Sequence, residues 1–285
     1  MAKQELDKGL GIQTRRTIAY IVLGIITFFC LIWFYILIIN STRSNGELAT
    51  GFRLIPSKYL FTNWSNLVHG TLPVFNGLLN SVVIAAFSAV LCVYFSTMTA
   101  YAFHAYDFAL RKFLFTFILA IMMIPTQVVA LGFVRLMNNM KLDDTFIPLI
   151  VPSVAAPVTV FYMKQAMEST LSISLIEAAR IDGSGEFRTF NSIVLPLMKP
   201  SIAVQAIFTF VTSWNNYFTP ALILHSDNKK TLPILIAQLR AADWLKFDMG
   251  QVYVMILFSI LPVVVVYLIL SKHIVGGVAL GGVKG

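Results

Sequence analysis

Charge is what this sequence has least of. Asp, Glu, Lys and Arg make up only 12% of its 285 residues against 58% hydrophobic, and the mean hydropathy is +0.79. That balance excludes an ordinary soluble domain and leaves an integral membrane protein. Cysteine is nearly absent: Cys30 and Cys92 both fall inside apolar runs, which argues against a disulfide framework or a metal site and reads as packing. The four histidines, His69, His104, His225 and His273, lie in separate loops or span ends. With no Gly-x-Ser-x-Gly, His-Glu-x-x-His or phosphate-binding glycine loop, no catalytic site is expected. The net charge of +8 is scattered over short loops and forms no basic stripe, so it suits anionic membrane lipid and not nucleic acid.

What is present is a set of six apolar runs, each near the length of about 20 residues that crosses a bilayer. They are Ile18–Ile39, Ser81–Phe103, Phe113–Val134, Phe146–Met163, Ile202–Leu224 and Val252–Leu270. The expected fold is therefore all-α, a polytopic membrane protein with six transmembrane helices. Residues 1–17 read as an N-terminal tail, 18–271 as one transmembrane domain and 272–285 as a C-terminal tail. The fourth run carries Pro148, Pro152 and Pro157, which kink it or shift its ends. With the N-terminus inside, 12 Lys and Arg fall in the cytoplasm and 9 outside, and Arg15, Arg16, Arg111 and Lys112 abut membrane ends. Both termini are thus expected in the cytoplasm, in a plasma membrane. Trp64, Leu67, Val68 and Leu72 are spaced for a surface helix in the outer segment that follows the first run.

None of the six runs contains Asp, Glu, Lys or Arg, which disfavours a self-powered proton-coupled carrier. Sodium coupling through the proline-broken fourth run stays open as an alternative. Polar residues inside the runs are few: Thr126 and Gln127 after Pro125, then Gln205, Thr209 and Thr212, and the cluster Ser213-Trp214-Asn215-Asn216-Tyr217. An amide beside an aromatic ring can bind sugar hydroxyls while the ring covers the C–H face, so Trp214, Asn215, Asn216, Tyr217 and Gln127 are candidates for a substrate path. The other reading makes Trp214 and Tyr217 an interfacial belt and lets the Asn pair bond across helices.

The inner loop 164–199 holds a polar island of helix formers, Glu177-Ala178-Ala179-Arg180-Ile181-Asp182-Gly183, followed by Ile193-Val194-Leu195-Pro196. Ile173, Ile176, Ala179 and Ile181 predict a short helix that Asp182-Gly183 ends in a turn, and Glu186 to Ile193 begins a second. Two short helices on a glycine turn make a knob. Its small alanines can sit close in a partner's groove, with Glu177, Arg180 and Asp182 at the rim. A loop lying on lipid headgroups would want more Lys and Arg than Arg180 and Arg188, which Glu177, Asp182 and Glu186 offset.

These residues resemble the cytoplasmic coupling loop of the permease subunits of ATP-binding-cassette importers. The likeness extends along most of the chain, through Asn80-Ser81, Tyr101-Ala102-Phe103, Met123-Ile124-Pro125, Pro148-Leu149-Ile150-Val151-Pro152, Trp214-Asn215 with Pro220, and the tail from Gly276 to Val283-Lys284-Gly285. It is similar to the smaller permease of maltose-type and multiple-sugar systems. The pattern departs at Ser172-Ile173-Ser174, where a proline often precedes the coupling helix, and at Asn216, where an acidic residue is common.

The resemblance implies the type I importer permease fold and a division of labour. A binding protein outside the membrane delivers a sugar to a pore between this chain and a second, homologous permease, while two cytosolic ATPases bind ATP and drive the cycle. This chain then binds no cofactor or metal and is not itself an enzyme. Glu177, Ala178, Ala179, Arg180, Asp182, Gly183 and Pro196 become ATPase-coupling residues. Importers of peptides or polyamines share such a loop and are the alternative within the family.

Overall fold

The computed structural model describes residues 2–241 and 248–281, with side chains from 11 to 241 and from 248 to 274. Every regular element among them is a helix. The chain divides into two compact units, Met1–Gly70 with Leu239–Phe258, and Thr71–Gln238 with Ser259–Gly285.

The first unit contains α1 (Ala2–Ser41), α2 (Asn45–Ala49) and α3 (Leu60–Val68). The first apolar run lies within α1, whose candidate span Gly11–Ser41 buries none of its most apolar window within the chain. Cys30 is exposed on it, a correction to its reading as a packing residue. Helix α2 starts at a capping box in which Ser44 Oγ accepts from the Glu47 N–H and a Glu47 carboxylate oxygen accepts from the Ser44 N–H, both at 3.3 Å. The buried Arg43 beside it donates to the Glu47 and Gly51 carbonyls, and Asn63 of α3 donates to the carbonyls of Ser41 and Arg43. The predicted surface helix is α3; Leu67 is its buried anchor, and Leu72 lies past its end.

The second unit is built around α4 (Val74–Ala105). After it come α5 (Arg111–Ile121), α6 (Thr126–Asn139), α7 (Ile147–Ile150) with a 3-10 turn, α8 (Pro157–Thr170), α9 (Ile173–Ile181), α10 (Glu186–Thr189), α11 (Leu195–Leu197), α12 (Lys199–Trp214), α13 (Phe218–Ile223), α14 (Leu232–Arg240) and α15 (Met249–Gly281), which begins in the first unit. Helices α8 and α12 pack along α4. The reason is a stripe of buried small residues on α4, Ala85, Ser88, Ala89, Cys92, Ser96 and Ala100, at helical spacing. In a bilayer there is no hydrophobic gain from helix contact, so close backbone approach over small side chains supplies the packing.

Proline decides how the six expected runs are realised. Among the described residues four helical segments, Gly11–Ser41, Val74–Ala105, Ile147–Thr170 and Met249–Ile274, are long and apolar enough to cross a membrane. The third expected run is broken between α5 and α6, which meet at 95°. Pro125 has no N–H to return to the preceding turn and forces Ile124 out of helical geometry, so α5 stops and α6 restarts. The fifth also differs: α12 covers Lys199–Trp214, and after a short turn the residues from Tyr217 to Leu224 form α13 and its caps. At 1.5 Å per residue its 16 residues reach about 24 Å, short of a full crossing alone. Residues 2–17 continue α1 and residues 272–281 continue α15, so the described parts of the two expected tails are helical. Val283, Lys284 and Gly285 lie outside the described residues.

Between α6 and α7, Asp144 adopts φ 52°, a left-handed conformation that Asp tolerates better than most residues. Its carboxylate accepts from the Ser226 hydroxyl at 2.6 Å, the His225 and Ser226 N–H groups at 2.9 and 3.1 Å, and Lys229 Nζ at 3.1 Å. The Ser226 hydroxyl above all holds it well below the usual carboxylate range. This clasp ties the α6–α7 turn to the segment after α13.

Candidate functional site: the loop between α8 and α12

The loop folds as a compact knuckle. Helix α9 ends with Asp182 N–H donating to the Ala178 carbonyl at 2.9 Å, Gly183 N–H to Arg180 at 3.0 Å and Ser184 N–H to Ala179 at 2.9 Å. Gly183 sits at φ 78°, the left-handed position that closes helices and suits a residue without Cβ. Nothing crowds its missing Cβ, so Gly183→Ala is expected to destabilise the turn through backbone strain alone, by about 1 kcal/mol. Gly183→Pro should do more, since it also deletes an N–H and demands φ near about −65°. Protease protection of the loop in membranes would rank the two.

Beyond the turn, α10 passes into a π-helical stretch, Phe190–Val194, and then α11. Pro196 explains the irregularity: it lacks the N–H for the carbonyl four residues back, and its ring pushes that turn open. Pro200 follows in the first turn of α12, where a missing N–H costs nothing, and the chain bends by 81° between Leu197 and Lys199.

One face of the knuckle is buried in its own chain. Ile176, Phe190, Val194 and Met198 join Ala100 and Tyr101 of α4 and Met163, Met167 and Leu171 in a core cluster. A polar knot seals it. Tyr101 Oη donates to Glu186 Oε2 at 2.9 Å, Arg180 Nε donates to Glu186 Oε1 at 2.6 Å, and the guanidinium lies 5.2 Å from the Tyr106 ring centroid. The Arg180 guanidinium first, then the Tyr106 and Tyr101 hydroxyls, lower the Glu186 carboxyl from 4.5 to about 2. His104 at the end of α4 bonds the Leu171 carbonyl at 2.9 Å. The knuckle is thus fixed to the end of α4.

The structure redistributes the residues expected to meet a partner. Glu177, Ala178, Asp182 and Gly183 are exposed, as is Pro196. Ala179 is 6% exposed and faces its own chain, so it cannot fill a partner's groove; this corrects its expected role. Arg180 is committed to Glu186 within the loop and is not a free rim charge. Two residues missed as contact residues stand out instead: Ile181 is 86% and Phe187 72% exposed, next to the turn. In the sequence the available signal was two large apolar residues standing in a polar loop outside the apolar runs.

The substrate-path candidates do not converge. Trp214 is buried and stacks on Phe210, centroids 5.8 Å apart, so it is a packing residue, a correction to its reading as path-lining. Asn215 and Tyr217 are exposed, and Asn216 Oδ1 caps α13 by accepting from the Thr219 N–H at 3.3 Å. Gln127 is exposed at the start of α6, where its amide oxygen accepts from Thr126.

Residues 93–279 match the family model described as "Binding-protein-dependent transport system inner membrane component". The arabinooligosaccharides transport system permease protein of Bacillus subtilis (strain 168) is 34% identical over 257 residues, 88% of this chain and 89% of that protein. The melibiose/raffinose/stachyose import permease protein of the same strain is 31% identical over 254 residues, 88% and 91% of the two chains. The sn-glycerol-3-phosphate transport system permease protein of Yersinia pestis bv. Antiqua (strain Antiqua) is 32% identical over 229 residues, 79% and 81%. A crystal structure of a bacterial ABC transporter involved in the import of the acidic polysaccharide alginate shares the fold, with TM-score 0.77 over 90% of this chain and 95% of that one at 22% identity. The matched region takes in α4 from its middle, the knuckle and α12, and the chain therefore belongs to the family of binding-protein-dependent transport system inner membrane components, as a multi-pass membrane permease.

Proposed function

We propose that the chain forms half of the pore of an ATP-driven sugar importer and carries no ATPase site of its own. Its partners are a second homologous permease, two cytosolic ATP-binding-cassette ATPases that bind the ATP, and a sugar-binding protein outside the membrane. Both termini and the knuckle face the cytoplasm of a bacterial cell. Relatives named for arabinooligosaccharides and for melibiose, raffinose and stachyose support an uncharged oligosaccharide as cargo.

The observation that carries the coupling role is the anchoring of the knuckle. Its inner face is locked to α4 by the Tyr101–Glu186–Arg180 knot, while Ile181 and Phe187 point out of the chain. An element rigid on one side and sticky on the other transmits force from a partner to a transmembrane helix. The contact is testable by disulfide trapping in native membranes. Ile181→Cys, in a background with Cys30 and Cys92 replaced by serine, is expected to cross-link to cysteines in the ATPase surface groove, with yields that change on ATP binding. Reaction only with headgroup-anchored maleimide lipids would remove the proposal.

A further inference from the structure

The structure assigns to α12 and the turn after it an uncharged, solute-contacting wall that takes in Ser213 and Asn216 of the cluster at the helix end but neither Trp214 nor Tyr217. At about 100° per residue, Gln205, Thr209, Thr212 and Ser213 fall on one side of the α12 axis, and Asn216 follows two residues past the helix end. Ala203, Phe210 and Trp214, each 4% exposed, occupy the opposite side. All five polar residues line one cavity of about 440 Å³, shared with Ser88 of α4. Polar side chains at membrane depth are expensive unless they find partners or face a wet cavity.

Some of these groups are used internally. The Ser88 hydroxyl donates to the Leu149 carbonyl at 3.2 Å, Thr209 donates to Cys92 Sγ at 3.5 Å, and Asn216 caps α13. Gln205 is different. It is 9% exposed, it borders the cavity, and its amide makes no hydrogen bond among the described residues. An amide with two donors and one acceptor, next to hydroxyls that both donate and accept, matches a solute built of hydroxyl groups. Among the described residues no Asp, Glu, Lys or Arg lines the cavity, so an anion or cation entering it meets no counter-charge from them. The wall therefore favours uncharged, hydroxyl-rich solutes, with Gln205 as the principal contact. This inference rests on the importer reading for its cargo, but its charge preference can be tested without knowing the sugar.

The test uses the assembled transporter with Cys30→Ser and Cys92→Ser, into which Gln205→Cys or Thr212→Cys is introduced separately. Each is treated with 2-hydroxyethyl methanethiosulfonate or with the anionic 2-sulfonatoethyl reagent, and modification rates are read by mass spectrometry. At both positions the neutral-to-anionic rate ratio is expected to exceed that of 2-mercaptoethanol in solution by at least about tenfold, corresponding to about 1.4 kcal/mol of discrimination. The two positions guard against one variant failing to assemble. A ratio equal to that of the solution thiol overturns the wall's charge preference. So does a lack of reaction with the neutral reagent at both positions when the denatured chains react, since the cavity is then sealed. Failure of the importer reading shows separately, as no ATP-driven uptake of any neutral oligosaccharide by the unsubstituted complex, while the labelling pattern at 205 and 212 persists and the wall stands.

Discussion

Aspartate at both Ile181 and Phe187 is expected to yield a permease that folds in the membrane but no longer retains its ATPase. Both side chains lie largely in the open, so the substitution removes little from the chain's own packing, and surface changes of this kind usually shift stability by no more than about 0.5 kcal/mol. The consequence changes if the two residues are seated in a socket. An apolar anchor at the centre of an interface is worth about 2 kcal/mol or more when truncated, and a carboxylate left unpaired there adds a desolvation cost. The two together predict at least about a thousandfold weaker association. Glu177 and Asp182 already place negative charge beside the turn, so two further carboxylates would also meet local repulsion. The measurement is the amount of ATPase that co-purifies with the variant in mild detergent, with the double alanine variant as an intermediate case. Wild-type stoichiometry and wild-type uptake in the aspartate variant would show that the knuckle's tip touches nothing that matters.

How far the sequence revealed this arrangement depends on the kind of interaction involved. The apolar runs, the short helix α9 and the turn at Gly183 were legible because each is local: hydropathy over about 20 residues, apolar spacing, and a glycine after a helix. The breaks were only half legible. Pro125 was visible, but a proline inside an apolar run either kinks a helix or splits it, and the 95° between α5 and α6 depends on what each half packs against. Ala178 and Ala179 look alike in sequence, yet one is exposed and the other buried, and which face of α9 is buried depends on residues distant in sequence, such as Ala100 and Tyr101, that cluster with Ile176. Asn216 lies past the end of α12, but the Gln205–Thr209–Thr212–Ser213 stripe was legible as a helical spacing. It was overshadowed by the aromatic cluster, whose tryptophan turns out to face inward.

The Tyr101–Glu186 bond is the polar link between the knuckle and α4, beside the buried cluster and the His104–Leu171 bond, and removing it should separate ATPase binding from transport. Tyr101→Phe and Glu186→Gln leave Ile181 and Phe187 in place, so the ATPase should still co-purify. What is lost is the charge-assisted contact from a buried tyrosine and, with Glu186→Gln, the ion pair to Arg180 as well. The Glu186 side chain is 42% exposed, so solvent weakens the pair, and the interaction energy from a double-mutant cycle is expected near about 1 kcal/mol. Sugar moved per ATP hydrolysed is expected to fall by about fivefold or more in the double variant, the lower range for a coupling free energy between sites. The sign of the pH effect follows from the lowered Glu186 carboxyl. A group held near about 2 in the folded loop and at its ordinary 4.5 in the unfolded one contributes stability that is complete above the ordinary value and is lost as pH falls between the two. The uptake-to-hydrolysis ratio should therefore carry no titration of this carboxylate above about pH 5.5. If Tyr101→Phe abolished ATPase retention, the knot would be shaping the docking surface itself. If the double variant transported with unchanged stoichiometry, force would be reaching the membrane through the buried cluster of Ile176, Phe190 and Met198 alone.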